Sequence, residues 1–354
     1  EMCIRDSGFG IQDSILPIVD KQSGQLTHND LTISLSDEKA LTMEQGLADT
    51  LDSSSAVHSW GAFYTKSTTL YNEEGGSADV SIVGAEDDAR MTEYFTFRTR
   101  VGHDPIPFEE DSVILTEKTA LNLELSVGDT FYVEAADGSR VPLVLTGITE
   151  NYMFTRLYLS NAQLQALLGS TPEWNTVYGL TGCTTEAEYN ALRTKLLGCN
   201  YVSSVSFTED TTSMFGSLIG SLNYVVVLII VCAAALAAVV LYNLISVNLA
   251  ERKKELATIK VLGFYDKEVY RYIFREIELL SLIGSGVGLL LGVPLHRFIV
   301  LTVEMDQLMF IRTIAPHSYL LAVALTMLFT FVVCFAMRRH VRHISMVESM
   351  KAPE

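Results

Sequence analysis

The chain has 354 residues, 49% of them hydrophobic, with 42 acidic against 25 basic residues and a formal net charge of −17. That length suits two domains, and the acidity excludes nucleic acid as a partner, because phosphate binding needs basic patches. The charge is unevenly spread: residues 1–217 hold 32 of the acidic and 12 of the basic residues, leaving the remainder apolar and slightly basic, the pattern of a soluble domain joined to a membrane domain.

Glu1–Ser7, EMCIRDS, has neither the apolar core nor the cleavage pattern of a signal peptide. It reads as the translated end of a sequencing adapter, a scar outside the fold, which implies a longer parent protein. The outer domain is then expected over 8–210. Strands dominate from Asp30 to Tyr158, with DLTISLS and ADVSIVGAED alternating and ending at turn residues. Next come a short helix at Glu117–Leu123, a turn at Gly128–Asp129, the strand TFYVEA, a DGS hairpin turn and the returning strand VPLVLTGI. NAQLQALLG predicts a helix stopped by Gly169, and NTVYGLTG, TEAEYNALRTKLLG and YVSSVSF predict strand, helix, strand. The fold class is therefore α+β.

Chemistry is hard to find in this part. His28, His58 and His103 are scattered without metal-ligand spacing, and no G-x-S-x-G elbow is present. Glu109, Glu110 and Asp111 read as a solvated acidic loop rather than a cation site. Cys183 and Cys199 flank the TEAEYNALRTKLLG helix and are either a pair or two free thiols, since two cysteines define no framework. The sequence thus gives no catalytic residue, no metal and no cofactor, and the outer domain reads as a recognition or mechanical module.

From 211 to 354 the chain reads as an α-helical membrane domain. Thr211–Ala250, Leu279–His296 and Thr313–Met337 carry no Asp, Glu, Lys or Arg. They predict three transmembrane helices at about 222–246, 277–300 and 315–337, since about 20 apolar residues cross a bilayer. Lys and Arg concentrate in the loop between the first two spans and in the tail after the third. By the positive-inside rule both are cytoplasmic and the N-terminal domain is extracytoplasmic, in a multi-pass cell-membrane protein. Between the second and third spans, Arg297 and Arg312 are accompanied by Glu304 and Asp306. Gly284, Gly288 and Gly292 form a small-residue stripe for close helix packing. No G-x-x-x-x-G-K-[ST] occurs, so the chain has no P-loop for ATP.

The loop over 248–275 contains an amphipathic helix. Leu256, Ile259 and Leu262 recur at three-residue intervals, Gly263 ends the pattern, and Asp266 is placed to cap a following helix. Either the basic helix lies on anionic membrane lipid or a soluble partner docks on it, and composition does not decide between them.

ERKKELATIKVLGF followed by IFREIELLSLIGSGVGLLLG resembles the FtsX-like permease family of ABC transporters, which includes the MacB-type exporters. The matching positions are Arg252, Glu255, Leu262–Gly263, Glu276 and Gly284/Gly288/Gly292. LSVGDTFYV with LTGITENYMFTRLYLS resembles that family's extracytoplasmic core domain. In detail the chain is similar to the last repeat of large Gram-positive permeases. The resemblance implies a permease fragment without enzymatic activity, driven by a separate cytoplasmic ABC ATPase and paired with another permease repeat or protomer. It implies that Arg252, Glu255, Leu256, Ile259, Leu262 and Gly263 belong to a coupling helix seated on that ATPase. ATP hydrolysis would then move the outer domain mechanically for export, extraction or regulation at the cell surface. The competing expectations are a membrane-anchored sensor with an extracytoplasmic ligand-binding domain and a membrane-bound hydrolase. The sensor lacks a signalling module after the third span, and the hydrolase lacks a nucleophile–base grouping.

Overall fold

The computed structural model describes residues 17–342 except 44–45, 136–137, 253–254, 256–257, 260–261, 263–264, 305–307 and 312–315; the adapter-like Glu1–Ser7 lies outside the described residues. The chain divides into two units: Leu16–Leu218 with Glu304–Ile311, and Ile219–Val303 with Arg312–Glu354.

The first unit is built on a mixed sheet. Its strands are β1 (Leu31–Leu35), β2 (Val57–Tyr71), β3 (Ser77–Ala85), β4 (Val113–Thr116), β5 (Thr130–Glu134), β6 (Arg140–Val144), β7 (Gly147–Thr149), β8 (Arg156–Leu159), β9 (Thr176–Thr181) and β10 (Val202–Phe207). Their order is β10-β1-β9-β2-β3-β8-β4-β7, and β5 pairs with β2 and β6. Pairing is antiparallel except for β3 with β8 and β4 with β7. The fifteen-residue β2 organises the rest. One edge pairs Val57–Phe63 with β9, and the other pairs Phe63–Tyr71 with β3. Its far end also reaches β5 through Leu70 and Tyr71.

Helices cover the sheet: α1 (Pro17–Lys21), α2 (Lys39–Thr42), α3 (Leu47–Asp52), α4 (Asp88–Tyr94), α5 (Glu117–Asn122), α6 (Asn161–Leu168) and α7 (Glu186–Leu197). Their ends follow local chemistry. Thr185 and Glu188 close a reciprocal capping box at the start of α7. Ser160 caps α6, which stops at Gly169 in the left-handed conformation, φ 65°. The hairpin between β5 and β6 turns at Gly138, φ 80°, where a side chain would be strained.

Among the described residues, apolar clusters fill the unit. Leu31, Ile33, Leu47 and Leu51 pack with Leu192, Leu196 and Phe207. Leu70, Phe131 and Val133 pack with Leu157, Leu159 and Leu164. Between these lies an aromatic group, in which Phe63 meets Tyr178 at 4.7 Å and Tyr94 at 5.6 Å between ring centroids. The edge-on geometry is the one that ring quadrupoles favour. Cys183 and Cys199 both line the first cluster, each as a free thiol.

The second unit is helical: α8 (Thr208–Glu251, which begins in the first unit), α9 (Asp266–Val303) and α10 (Pro316–Arg342). Among the described residues, three stretches are long and apolar enough to cross a membrane, Val227–Asn248, Arg275–Thr302 and Tyr319–Ala336. Their outward faces are bulky and apolar. Tyr224, Leu290, Leu320 and Phe335 are each at least 73% exposed, an arrangement that water penalises and lipid accommodates. An α+β domain followed by three membrane-grade helices is thus the observed architecture.

Phe63 gives a direct measure of the β2 packing. Phe63→Ala should cost the first unit about 3–5 kcal/mol, the usual loss for deleting a buried aromatic ring. Trp60 and Trp174, the only two tryptophans in the chain, both lie in this unit, so urea unfolding followed by tryptophan fluorescence reads it alone. Val101→Ala, at a position 75% exposed, should shift stability by less than about 0.5 kcal/mol.

Candidate functional site

The loop after α8 carries the predicted coupling residues. Helical turns continue past Glu251, with the Arg252 N–H donating to the Asn248 carbonyl at 3.0 Å. Glu255, Thr258 and Ile259 also lie in helical turns, and the Leu262 N–H donates to the Thr258 carbonyl at 3.0 Å. Ile259 is half-buried, whereas Leu262 is 72% exposed. Leu256 and Gly263 lie outside the described residues.

Arg252 reaches across to the next helix. Its guanidinium donates to both carboxylate oxygens of Glu276, at 2.7 and 3.1 Å. A bidentate fork fixes orientation as well as distance. The pair closes the loop at its base and joins the end of α8 to the first part of α9. Periodicity offered no hint of it, because 24 residues separate the partners. The family pattern contained both residues but not their contact.

The start of α9 also differs from the sequence reading. Asp266 is its first residue rather than its cap. Glu268 instead accepts from the Tyr265 N–H at 2.9 Å, as the third helical residue does in a capping box. A three-carbon reach places the carboxylate back over the helix entrance more readily than a neighbouring aspartate would.

The glycine stripe is only partly aligned with the buried face of α9. Ile277, Ser285, Gly292, His296 and Val300 are buried, Gly288 is half-buried and Gly284 is exposed. The reason is angular. Each four-residue step overshoots a helical turn by about 40°, so Gly284 lies about 80° around from Gly292. Close approach to α10 uses small polar residues as well. Thr330 Oγ1 donates to Ser281 Oγ at 3.3 Å, while Ser285, Thr326 and Thr330 return hydrogen bonds to their own helices at 2.7–3.0 Å. Such bonding lets backbones approach without stranding polar groups in an apolar medium.

Among the described residues, no group of three or more His, Cys, Asp or Glu side chains is placed to hold a metal ion. What this region supplies is a clamped loop with exposed apolar surface, and a packed helix pair.

The angular argument separates two glycines of one motif. Gly292→Leu should overfill the buried face and lower the thermal midpoint of the detergent-solubilised chain, through an overpacking cost of about 1–3 kcal/mol. Gly284→Leu should leave the midpoint within error, and a larger loss at Gly284 than at Gly292 would contradict the observed face. For the clamp, Arg252→Glu and Glu276→Arg should each increase protease cleavage within 253–264, and the double swap should restore resistance.

Residues 227–346 match the family model described as the FtsX-like permease C-terminal domain. No curated protein matches the sequence. Among solved structures, the periplasmic region of MacB from Actinobacillus actinomycetemcomitans is similar with a TM-score of 0.34 and 13% identity, over 54% of this chain and 94% of that one. The extracellular domain of the noncanonic ABC-type transporter YknZ from Gram-positive bacteria gives a TM-score of 0.32 and 13% identity, over 51% of this chain and 99% of that one. The segment that holds the Arg252–Glu276 clamp and the packed face of α9 is thus similar to the FtsX-like permease C-terminal domain.

Proposed function

We propose that this chain is a permease subunit of an ABC transporter, driven by a separate cytoplasmic ATPase and acting by moving its outer domain. The observation that carries the reading is the permease domain at 227–346, whose first interspan loop holds an exposed Leu262 above a clamped base. A leucine 72% exposed beside half-buried Ile259 suits helix-in-groove docking, where apolar anchors supply affinity and flanking charges set orientation. Lys and Arg in that loop and in the tail support a cytoplasmic position for both, with the sheet unit outside. The boundaries follow as an outer domain at 8–210 and a membrane domain at 211–354, which contacts lipid and pairs with another permease repeat or protomer.

The sheet unit fits a mechanical part. Ion pairs tie parts of it together: Arg98 with Glu150, Arg100 with Glu117, Arg90 with Glu93. Energy supplied from the cytoplasm would move it as a body for export, extraction or regulation at the cell surface.

Two measurements test this. Leu262→Asp should abolish co-purification of the cytoplasmic ABC ATPase, and Glu255→Lys should weaken it, with expression and membrane insertion unchanged. The joint substitution Lys253→Ala and Lys254→Ala should recover wild-type amounts. Equal ATPase recovery from all variants would remove the coupling role. For topology, single cysteines at Ser139 and Lys254, in a background without native cysteines, should label oppositely with an impermeant thiol reagent on intact cells. Ser139 should react and Lys254 should not; the reverse pattern would invert the orientation.

A further inference from the structure

Glu304 directly follows Val303, the last residue of α9, with no linker between them. Yet it belongs to the sheet unit, and its side chain is only 1% exposed. Lys118 Nζ, at the start of α5, donates to Glu304 Oε2 at 2.8 Å, and the Phe310 N–H donates to Oε1 at 2.8 Å. Leu308–Ile311 are held as firmly. Leu308 forms an isolated bridge with Met153, and the Met309 N–H donates to the Tyr152 carbonyl at 2.9 Å. Met309, Phe310 and Ile311 are 1%, 9% and 7% exposed.

The receiving segment is itself rigidly held. Gln22 Oε1 accepts from the Tyr152 and Met153 N–H groups at 2.9 and 3.2 Å. The Tyr152 hydroxyl donates to Glu150 Oε1 at 2.5 Å, and Arg98 Nε donates to Glu150 Oε2 at 2.7 Å. Burial, and then the bond to Glu150, push the Tyr152 hydroxyl well above the ordinary tyrosine range, so it remains a donor at physiological pH.

The connection is asymmetric. On the α9 side no residue intervenes between helix and buried carboxylate, so displacement of the helix end must pull on Glu304. On the α10 side four residues, 312–315, separate Ile311 from Pro316. At its other end α9 carries Glu276, the partner of Arg252 in the loop. A helix of 38 residues rises about 57 Å at 1.5 Å per residue.

We propose that Glu304–Ile311 is a strap, locked by the buried Lys118–Glu304 pair, through which displacement of α9 reaches the sheet at Tyr152–Met153. The strap rests on the permease reading and names a route for it: from the Arg252–Glu276 clamp, along α9, to Glu304. Lys118 and Glu304 are positioning residues in this scheme. A carboxylate this enclosed is stable only while paired, so loss of one partner should free the strap without removing apolar core.

The test is hydrogen–deuterium exchange on the full chain in lipid nanodiscs with its co-expressed ATPase. In Glu304→Gln the Met309 and Phe310 amides should exchange about tenfold faster or more, as expected when a charge-assisted bond is lost from a locally opening segment. The β1 and β2 amides should keep wild-type protection. The swap Lys118→Glu with Glu304→Lys should recover part of the protection. Unchanged exchange at Met309 and Phe310 in Glu304→Gln would overturn the lock. Adding a non-hydrolysable ATP analogue should alter exchange at Tyr152–Met153 in the wild type, and this response should fall about fivefold or more in Glu304→Gln while the ATPase stays bound. A full response in that variant would overturn transmission through the strap and leave the permease reading intact. A wild type that binds ATPase yet shows no nucleotide response anywhere in the sheet unit would remove the permease reading, and the strap with it. Should Glu304→Gln lose protection throughout the sheet, Lys118→Met decides by the same two readouts.

Discussion

A β-strand has two hydrogen-bonding edges, and β2 uses both along its fifteen residues. That constraint organises the sheet unit. The strands β1, β9 and β10 attach to one edge through Val57–Phe63, while β3 and the strands beyond it attach to the other through Phe63–Tyr71. Phe63 is the residue shared by both registers, and it is fully buried among Tyr94, Phe95 and Tyr178. The two halves of the sheet cannot shift relative to each other without breaking one register, because a one-residue slip would turn every side chain to the opposite face. A unit tied together in this way can be moved as a body.

The two units answer to different physics, and the sequence composition changes where the physics does. In water, burial of apolar surface drives packing, so the sheet unit encloses Leu, Ile, Val and aromatic side chains, and its buried acidic residues Glu150 and Glu304 are paired with Arg98 and Lys118. Lipid offers no such drive between apolar helices, and association rests on close contact and hydrogen bonds. α9 accordingly meets α10 through the hydrogen bond from Thr330 to Ser281, while most of its leucines face outward. A glycine-only reading of α9 missed this, because the small polar residues share the interface and the exposed Gly284 does not.

Local patterns made much of the sheet unit legible in the sequence. The alternation in DLTISLS and ADVSIVGAED gave β1 and β3, the Asp-Gly turn gave the β5–β6 hairpin, and Thr185 with Glu188 announces α7. β2 was not read, although VHSWGAFYTKSTTLY is rich in β-branched and aromatic residues. Its two faces are packed in different places, so no single alternation runs its length. β4 and β8, four residues each, are too short for periodicity to register, and their order in the sheet depends on long-range pairing. In the candidate site, Arg252, Glu255, Ile259 and Leu262 could be named from pattern and resemblance, but the partner of Arg252 could not. Glu304 was visible only as one charge in a loop count. Its burial is a tertiary fact, set by Lys118 from 186 residues earlier in the chain.

The two ion pairs associated with α9 differ in a way that suits a transmission element. Arg252 and Glu276 are 38% and 46% exposed at their side chains, where solvent screening keeps even a bidentate pair weak and easily exchanged. Lys118 and Glu304 are 13% and 1% exposed, and opening that pair would strand a carboxylate without water. One end of the route is therefore compliant and the other stiff. Pro294, within α9, removes one backbone hydrogen bond and offers a place to bend before Glu304. In the proposed scheme a load along α9 would open the exposed Arg252–Glu276 pair before the enclosed Lys118–Glu304 pair, so the strap would be the last element to release. The reverse arrangement, with the firm pair at the loop, would release the sheet unit under the same load.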